Sequence, residues 1–283
     1  MKVLTSIPSI QKEILSLKRK GKTIGFVPTM GALHEGHLSL IRRARKGNDV
    51  VVLSIFVNPK QFGKDEDFRK YPRSKKSDEM LARREKVDMI FLPTDEIMYP
   101  SGYLTCVEVG QLGEGLCGRL RPGHFRGVAT VVAKLLGIVR PDVMYLGQKD
   151  AQQAAVIRQM VRDLNFPVRI EVCPTVRDKD GLAMSSRNAY LSPEERTKAP
   201  GIYRSLKAAK AMIQSGEIHP ATIVKNIKAL IRRNVSPKID YVECVDPQTL
   251  KPLKIITSDC LIATAVRLGQ TRLIDNIAVK VSS

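Results

Sequence analysis

Along the first 175 positions, apolar residues change back and forth between two periods. Ile10, Ile14, Leu15 and Leu17 fall near one side of a helix predicted over Ile7–Lys20, with Ser6 or Ser9 as its cap and Gly21 as its stop. Thr23–Val27 is a β-branched and aromatic run, the composition of a buried strand, and Pro28 ends it. From Gly36 onward Leu38, Leu40, Ile41 and Ala44 recur at helical spacing, with Arg42, Arg43, Arg45 and Lys46 on the other face. Val50–Val57 is apolar throughout, as a parallel strand covered on both faces requires. A helix through Asp78, Met80, Leu81 and Arg84 follows, then strands over Asp88–Leu92 and Thr105–Val109. Next come a largely buried helix over Phe125–Val139, a strand over Val143–Leu146, a helix over Ala151–Leu164 and a strand over Val168–Val172. Strands alternating with helices predict an α/β fold with a Rossmann-like, doubly wound parallel sheet. Beyond about residue 176 the order changes. Ser192-Pro193-Glu194-Glu195 starts a helix with Ser192 as N-cap, and another spans about Pro220–Arg233. Strands over Ile239–Val245, Leu261–Val266 and Leu273–Val279 come after. The expected organisation is a domain over 1–175 and a smaller C-terminal α+β domain over 176–283, closing over the active site. No internal repeat or low-complexity tract interrupts it.

The chemistry concentrates where the first parallel strand ends. Thr29-Met30-Gly31-Ala32-Leu33-His34-Glu35-Gly36-His37 joins that strand to the next helix. Such a junction offers backbone N–H groups to a phosphate, and Gly36 leaves a ligand room to approach. His34 and His37 can point at the same phosphates. Zinc is one alternative for a histidine pair, but the zinc-protease pattern has its histidines four apart on a formed helix. Only His124 and His219 remain to complete a set of three or four ligands. Satisfied core histidines are another alternative. The strand–turn–helix context favours phosphate.

Composition narrows the class. With 283 residues, 43% hydrophobic and 27% charged, the chain has the make-up of a soluble globular protein. Met1–Ile14 has no continuous apolar run, so no secretory signal is expected, and Val50–Val57 and Val128–Val139 are too short or interrupted to span a bilayer. Five scattered cysteines without a Cys-x-x-Cys pair fit reduced thiols in a cytoplasm. The net charge of +19 raises nucleic acid as a partner, yet the basic residues are dispersed and aromatics are only 5%, so stacking platforms are few. A solvated basic surface that attracts anionic substrates such as ATP accounts for the charge.

Other strand ends carry polar groups. Asn58-Pro59-Lys60-Gln61 follows Val50–Val57, where ligands of open α/β sheets bind, and its neutral amides suit hydroxyl and carboxylate groups. Gly63–Tyr71 is charge-rich, the composition of a mobile loop. Gly147-Gln148-Lys149-Asp150 places a glycine and a lysine at another strand–helix junction, again suggesting phosphate, with Gln152 and Gln153 in the first turn beyond. Met184-Ser185-Ser186-Arg187 lies in a polar loop over Thr175–Asn188. Its two hydroxyls and guanidinium can bind a triphosphate and follow its charge as pyrophosphate leaves. Gly113-Glu-Gly115-Leu-Cys-Gly118 matches the Gly-x-Gly-x-x-Gly expression accidentally, since no helix is expected to start before Pro122.

The nine residues from Thr29 to His37 resemble the His-x-Gly-His motif of the nucleotidylyltransferase superfamily and, in this longer form, the pantothenate synthetase (pantoate–β-alanine ligase) family. Met184–Arg187 resembles the Lys-Met-Ser-Lys-Ser loop of class I aminoacyl-tRNA synthetases, with arginine in place of the second lysine. The similarity extends over Phe56–Phe62, Tyr71–Arg73, Arg121–Phe125, Gly147–Asp150 with Gln153, Met184–Asn188 and Thr271–Ala278. It implies ATP-dependent condensation of pantoate with β-alanine through a pantoyl-adenylate, releasing AMP and pyrophosphate, by a cytoplasmic homodimer with magnesium. It further implies that Met30, Gly31, Ala32, Leu33, His34, Glu35, Gly36 and His37 contact ATP, with His37 as proton donor. Gly147, Gln148, Lys149, Asp150, Val176, Met184, Ser185, Ser186 and Arg187 would complete the ATP site, with His34, Lys149 and Arg187 beside His37 in catalysis. Gln61 and Gln153 would hold pantoate, with Asn58, Tyr71 and Arg121 nearby and β-alanine next to Gln61. Asp78 would lie near magnesium, although Ser77 stands where some members have a second carboxylate; Gln148 stands where many have glutamate. Two other classes remain at this point: a nucleotidylyltransferase releasing pyrophosphate without AMP, and an RNA-binding relative of a synthetase.

Overall fold

Six parallel strands, β1 (Lys2–Leu4), β2 (Ile24–Thr29), β3 (Val50–Ile55), β4 (Met89–Phe91), β5 (Val143–Gly147) and β6 (Arg169–Cys173), form one sheet in the order β1-β4-β3-β2-β5-β6. The computed structural model describes residues 1–63, 66–236 and 238–281. The helices in chain order are α1 (Ile7–Arg19), α2 (Glu35–Gly47), α3 (Lys75–Arg84), α4 (Asp95–Met98), α5 (Cys117–Leu120), α6 (His124–Val139), α7 (Ala151–Asp163), α8 (Pro193–Lys198), α9 (Gly201–Gln214) and α10 (Pro220–Asn234).

The uninterrupted apolar run of β3 is explained by two covered faces. Val50 and Val52 join α1, α6 and α7 in one apolar layer, while Val51, Leu53 and Ile55 join α2 and α3 in the other. The chain leaves β2 through α2 on one face and reaches β5 through α6 on the other. Strand order therefore reverses between β2 and β5, and a crevice opens beyond their carboxyl ends.

The second sheet is antiparallel: β7 (Ile239–Val245), β8 (Cys260–Leu268) and β9 (Thr271–Val279). One face packs on α9 and α10 through Ile202, Leu206, Ile223 and Ile227. The other brings Tyr241, Leu261 and Ala263 into the same apolar cluster as Phe125 and Ala154. The small sheet thus lies against the large one's helical layer.

Several elements differ from the sequence expectation. Thr105–Val109 alternates like a strand but forms none. The Val107 N–H donates to Thr130 Oγ1 (2.9 Å), and among the described residues no strand runs beside the segment. A one-turn helix, α5, does form after Gly115 despite Pro122, although it cradles nothing in the manner of a dinucleotide fingerprint. The helix starting at Ser192, capped through Glu195 as expected, ends at Lys198, and α9 begins separately after Pro200. β1, three residues long, had too little pattern to be anticipated. Of the presumed mobile stretch Gly63–Tyr71, Lys64 and Asp65 lie outside the described residues. Of the rest, Gly63, Arg69 and Lys70 are exposed, while Phe68 and Tyr71 pack at an angle against Phe62, with ring centroids 5.4 and 6.0 Å away.

α6 approaches the turn after β3 so closely that a Cβ on Gly127 would lie 2.2 Å from the Lys60 carbonyl oxygen. Gly137, on the same helix, has nothing within 4 Å. Gly127→Ala is expected to lower unfolding free energy by about 1–3 kcal/mol through overpacking. Gly137→Ala should raise it by about 0.5–1 kcal/mol through helix propensity. Urea titrations of both variants check this, and equal shifts would contradict the close approach.

Candidate active site

The turn leaving β2 is shaped by a buried carboxylate. Gly31 has φ +82° and presses against Ile55, and the chain then turns so that the N–H groups of Ala32 and Leu33 donate to Asp78 of α3 at 3.0 and 2.8 Å. Asp78 is only 2% exposed, and burial raises its pKa against the two N–H donors that lower it. Those N–H groups are therefore satisfied internally rather than left for a phosphate. Asp78 serves as a clamp on the turn.

His34 is the N-cap of α2 and His37 occupies its N3 position, each ring capping the other's segment. The Gly36 N–H donates to Nδ1 of His34 (3.1 Å) and the His34 N–H to Nδ1 of His37 (3.3 Å). Each Nδ1 consequently holds a lone pair, and each ring carries its proton on Nε2. Burial pulls His34 down to about 4, assisted by the Lys149 ammonium. Burial likewise pulls His37 to about 3, with His34 and then Lys149 contributing. In the free enzyme both are neutral N–H donors at pH 7. His37 thus offers its Nε2–H as a donor, and burial disfavours its charged form.

A cavity of about 210 Å³ lies between the β2, β3 and β5 ends and the 175–188 loop. It is lined by Met30, His34, Gly36 and His37 from the first turn, Asn58 and Gln61 from the second, and Tyr71. Gly147, Lys149, Asp150 and Gln153 enter from β5 and α7, and Val176, Met184, Ser185, Ser186 and Arg187 from the loop. Outside it is a wider cleft of about 1540 Å³, reaching Arg121 and the small sheet. Most of the anticipated site residues thus meet in one place. Gly31, Ala32 and Leu33 form the turn behind it. Glu35 points away to pair with Arg42, and Gln148 turns its side chain to Asn276 (3.1 Å).

The amides separate by task. Asn58 is fully engaged: it donates to Gln61 Oε1 and the Gly127 carbonyl, both at 3.1 Å, and accepts from Tyr99 OH at 2.7 Å. It orients Gln61, whose Nε2 also reaches Met30 Sδ (3.0 Å). Gln152, buried, holds the 112–117 loop through the Cys117 N–H and the Leu112 and Gly115 carbonyls, leaving Gln153 as the glutamine that faces the cavity.

Sequence reading missed the groups that hold these residues. Asp67 takes a bidentate pair from Arg187 (2.8 and 2.9 Å), and Glu66 pairs with Arg121. His124 donates from Nδ1 to the Gln61 carbonyl (2.7 Å), because its Nε2 faces an Arg121 guanidinium N–H (3.1 Å) that can only donate. Burial lowers His124 to about 4. Both acids sit in the charge-rich stretch whose composition suggested only a loop, and His124 sits within Arg121–Phe125, which matched the family without an assigned role.

A switch-point cavity that brings neutral N–H donors, a lysine and an arginine together with uncharged amides defines an enzyme that activates a small polar acid with a nucleotide triphosphate. Comparison with known proteins makes the assignment specific. The family model for pantoate–β-alanine ligase matches residues 2–278. Pantothenate synthetase of Sulfurihydrogenibium sp. (strain YO3AOP1) is 55% identical over 278 residues, covering 98% of this chain and 99% of that protein. The Thermotoga petrophila enzyme of the same name is 54% identical over 276 residues, covering 98% and 99%. The crystal structure of pantothenate synthetase from Thermus thermophilus superposes with a TM-score of 0.92 at 45% identity, covering 98% of this chain and 99% of that one. That of pantoate–β-alanine ligase from Francisella tularensis, complexed with β,γ-ATP and β-alanine, gives 0.79 at 36% identity, covering 98% and 97%. The chain belongs to the pantoate–β-alanine ligase family, and ATP-dependent joining of pantoate to β-alanine is the activity that goes with it. The dinucleotide-forming alternative is thereby set aside.

Neutral buried histidines make a signed prediction. His34, His37 and His124 stay unprotonated in the folded state well below 6.5, whereas the unfolded chain binds protons there. Their contribution is intact above pH 6.5 and is lost as pH falls. By pH 5 each should destabilise the fold by about 1–2 kcal/mol. Urea unfolding at pH 7 and pH 5 should show this loss, reduced by about a third in His124→Gln; a pH-independent free energy over that range would contradict it.

Proposed function

We propose that the cavity makes pantoyl-adenylate and holds it non-covalently until β-alanine attacks. The observation that carries this is the lining of the inner cavity, which combines His34, His37, Lys149 and Arg187 with Gln61 and Gln153. When the pantoate carboxylate attacks the α-phosphorus, negative charge grows on the phosphate oxygens. The two Nε2–H groups, the ammonium of Lys149 and the guanidinium of Arg187 oppose it without any covalent enzyme intermediate. His37 acts here as a hydrogen-bond donor. Gln61 and Gln153 pair with the hydroxyl and carboxylate oxygens of pantoate, and β-alanine enters from the wider cleft past Gln61 and Arg121. The second half-reaction forms the amide bond and expels AMP.

Magnesium belongs with ATP on this reading, neutralising phosphate charge while coordinated by phosphate oxygens and water. Each oxygen of Asp78 accepts one backbone N–H group, so its first task on this reading is to hold the turn after β2. Among the described residues, no three His, Cys, Asp or Glu side chains cluster as a metal site would need. A cytoplasmic location is supported by the unpaired state of all five cysteines. A homodimer is part of this reading by likeness to the family. The unit from about residue 176, which brings Met184–Arg187 to the cavity, is proposed to close it against water.

Enzyme mixed with ATP and pantoate alone should release about one equivalent of pyrophosphate per site and then stall. Adding β-alanine should liberate AMP and restart turnover, with ¹⁸O from the pantoate carboxylate recovered in AMP. Unlabelled AMP would defeat the adenylate route. Gln61→Ala or Gln153→Ala should raise the pantoate KM roughly tenfold or more, since a buried partner left unpaired costs about 1–3 kcal/mol. The ATP KM should stay within about twofold, and parallel losses in both substrates would show the amides wrongly assigned.

A further inference from the structure

Asp275 and Asn276 are neighbours on β9, each 5% exposed, and they reach two segments that are distant in sequence. Asn276 Nδ2 donates to the Gln148 and Lys149 carbonyls, both at 2.9 Å, and its Oδ1 accepts from Gln148 Nε2 at 3.1 Å. Both N–H groups and the carbonyl of this amide are thereby spent on the turn that carries Lys149. Asp275 accepts a bidentate pair from Arg177 at 2.6 and 2.8 Å, and its Oδ1 also receives the Asn276 N–H at 2.8 Å. Arg177 lies in the hairpin that leads to Met184–Arg187. It bridges to Ala183, donates to the Gly181 carbonyl (3.2 Å) and stacks its guanidinium 3.6 Å from the Tyr203 ring centroid.

Lys149 therefore hangs from one residue of β9 and the Arg187 loop from the residue before it. The two cations come from different segments, Lys149 from the turn after β5 and Arg187 from the 175–188 loop. Their separation is set through this dipeptide of the small sheet. We propose that Asp275 and Asn276 are positioning residues that fix the spacing between Lys149 and Arg187, and so make the small sheet part of the triphosphate site. The proposal rests on the reading of Lys149 and Arg187 as phosphate ligands. It accounts for why Gln148 needs no catalytic function of its own: its side chain and carbonyl complete the attachment to Asn276.

Steady-state AMP formation, measured with each substrate varied in turn, tests the idea on four variants: Asn276→Ala, Asn276→Asp, Lys149→Ala and the double variant Asn276→Ala/Lys149→Ala. Asn276→Ala is expected to lower kcat/KM for ATP roughly tenfold or more while the pantoate KM moves less than about twofold. Asn276→Asp keeps the shape but sets carboxylate oxygens against two carbonyls, so it should lose at least as much. Added to Lys149→Ala, the Asn276→Ala change should lower kcat/KM for ATP by less than about threefold, because it acts through the missing group. Full additivity, or an equal loss in pantoate use, overturns the proposal. Wild-type ATP use by Asn276→Ala beside a crippled Lys149→Ala overturns the proposal alone. Wild-type ATP use by Lys149→Ala overturns the site reading and the proposal together. If Asn276→Ala fails to fold, Asn276→Ser, which retains one short donor, carries the same comparison.

Discussion

The carboxylate of Asp78 is the contact on which the first half of the site depends. Two successive N–H groups, of Ala32 and Leu33, would otherwise be buried without partners at the bend after β2. By accepting both, α3 fixes how the chain enters α2, and hence where the rings of His34 and His37 point. The strand order does the rest. With β2 between β3 and β5, the ends of all three converge on one crevice, and each contributes a different chemistry: imidazoles, amides, and a lysine.

Much of this was legible in the chain. The apolar run Val50–Val57 fitted a strand covered on both sides, which forms over Val50–Ile55, and the helix start at Gly36 followed from the spacing of Leu38, Ile41 and Ala44. Thr29–His37 and Met184–Arg187 marked the cavity before any coordinates. The failures share a cause. Thr105–Val109 has strand alternation, but a strand needs a neighbour, and pairing is a property of the fold rather than of the segment. Asp78, Asp275 and Asn276 act through residues 45 to 128 positions away in the chain, for which local pattern carries no signal. The expectation for Asp78 came from the resemblance and concerned a metal; the structure adds that each of its oxygens accepts a backbone N–H of the turn after β2.

The electrostatics of the free site are equally non-local. Nothing in His-x-Gly-His dictates neutral rings. Neutrality comes from burial at the carboxyl ends of an open sheet and from the charge of Lys149, while one backbone N–H claims each Nδ1. Positive charge in the pocket is thus left to Lys149 and Arg187, and the imidazoles add directed dipoles to it.

The Arg187–Asp67 pair has a consequence for the whole catalytic cycle. A guanidinium this enclosed is never without a counter-ion: Asp67 provides one when the cavity holds none. If Arg187 receives the triphosphate, binding is an exchange of one anion for another, and departure of pyrophosphate is the reverse exchange. Asp67 then behaves as a competitor built into the protein, always at the same local concentration. It weakens the grip on the nucleotide by a fixed amount and draws the arginine away from the leaving product, so that tight charge stabilisation during the reaction need not become slow release after it.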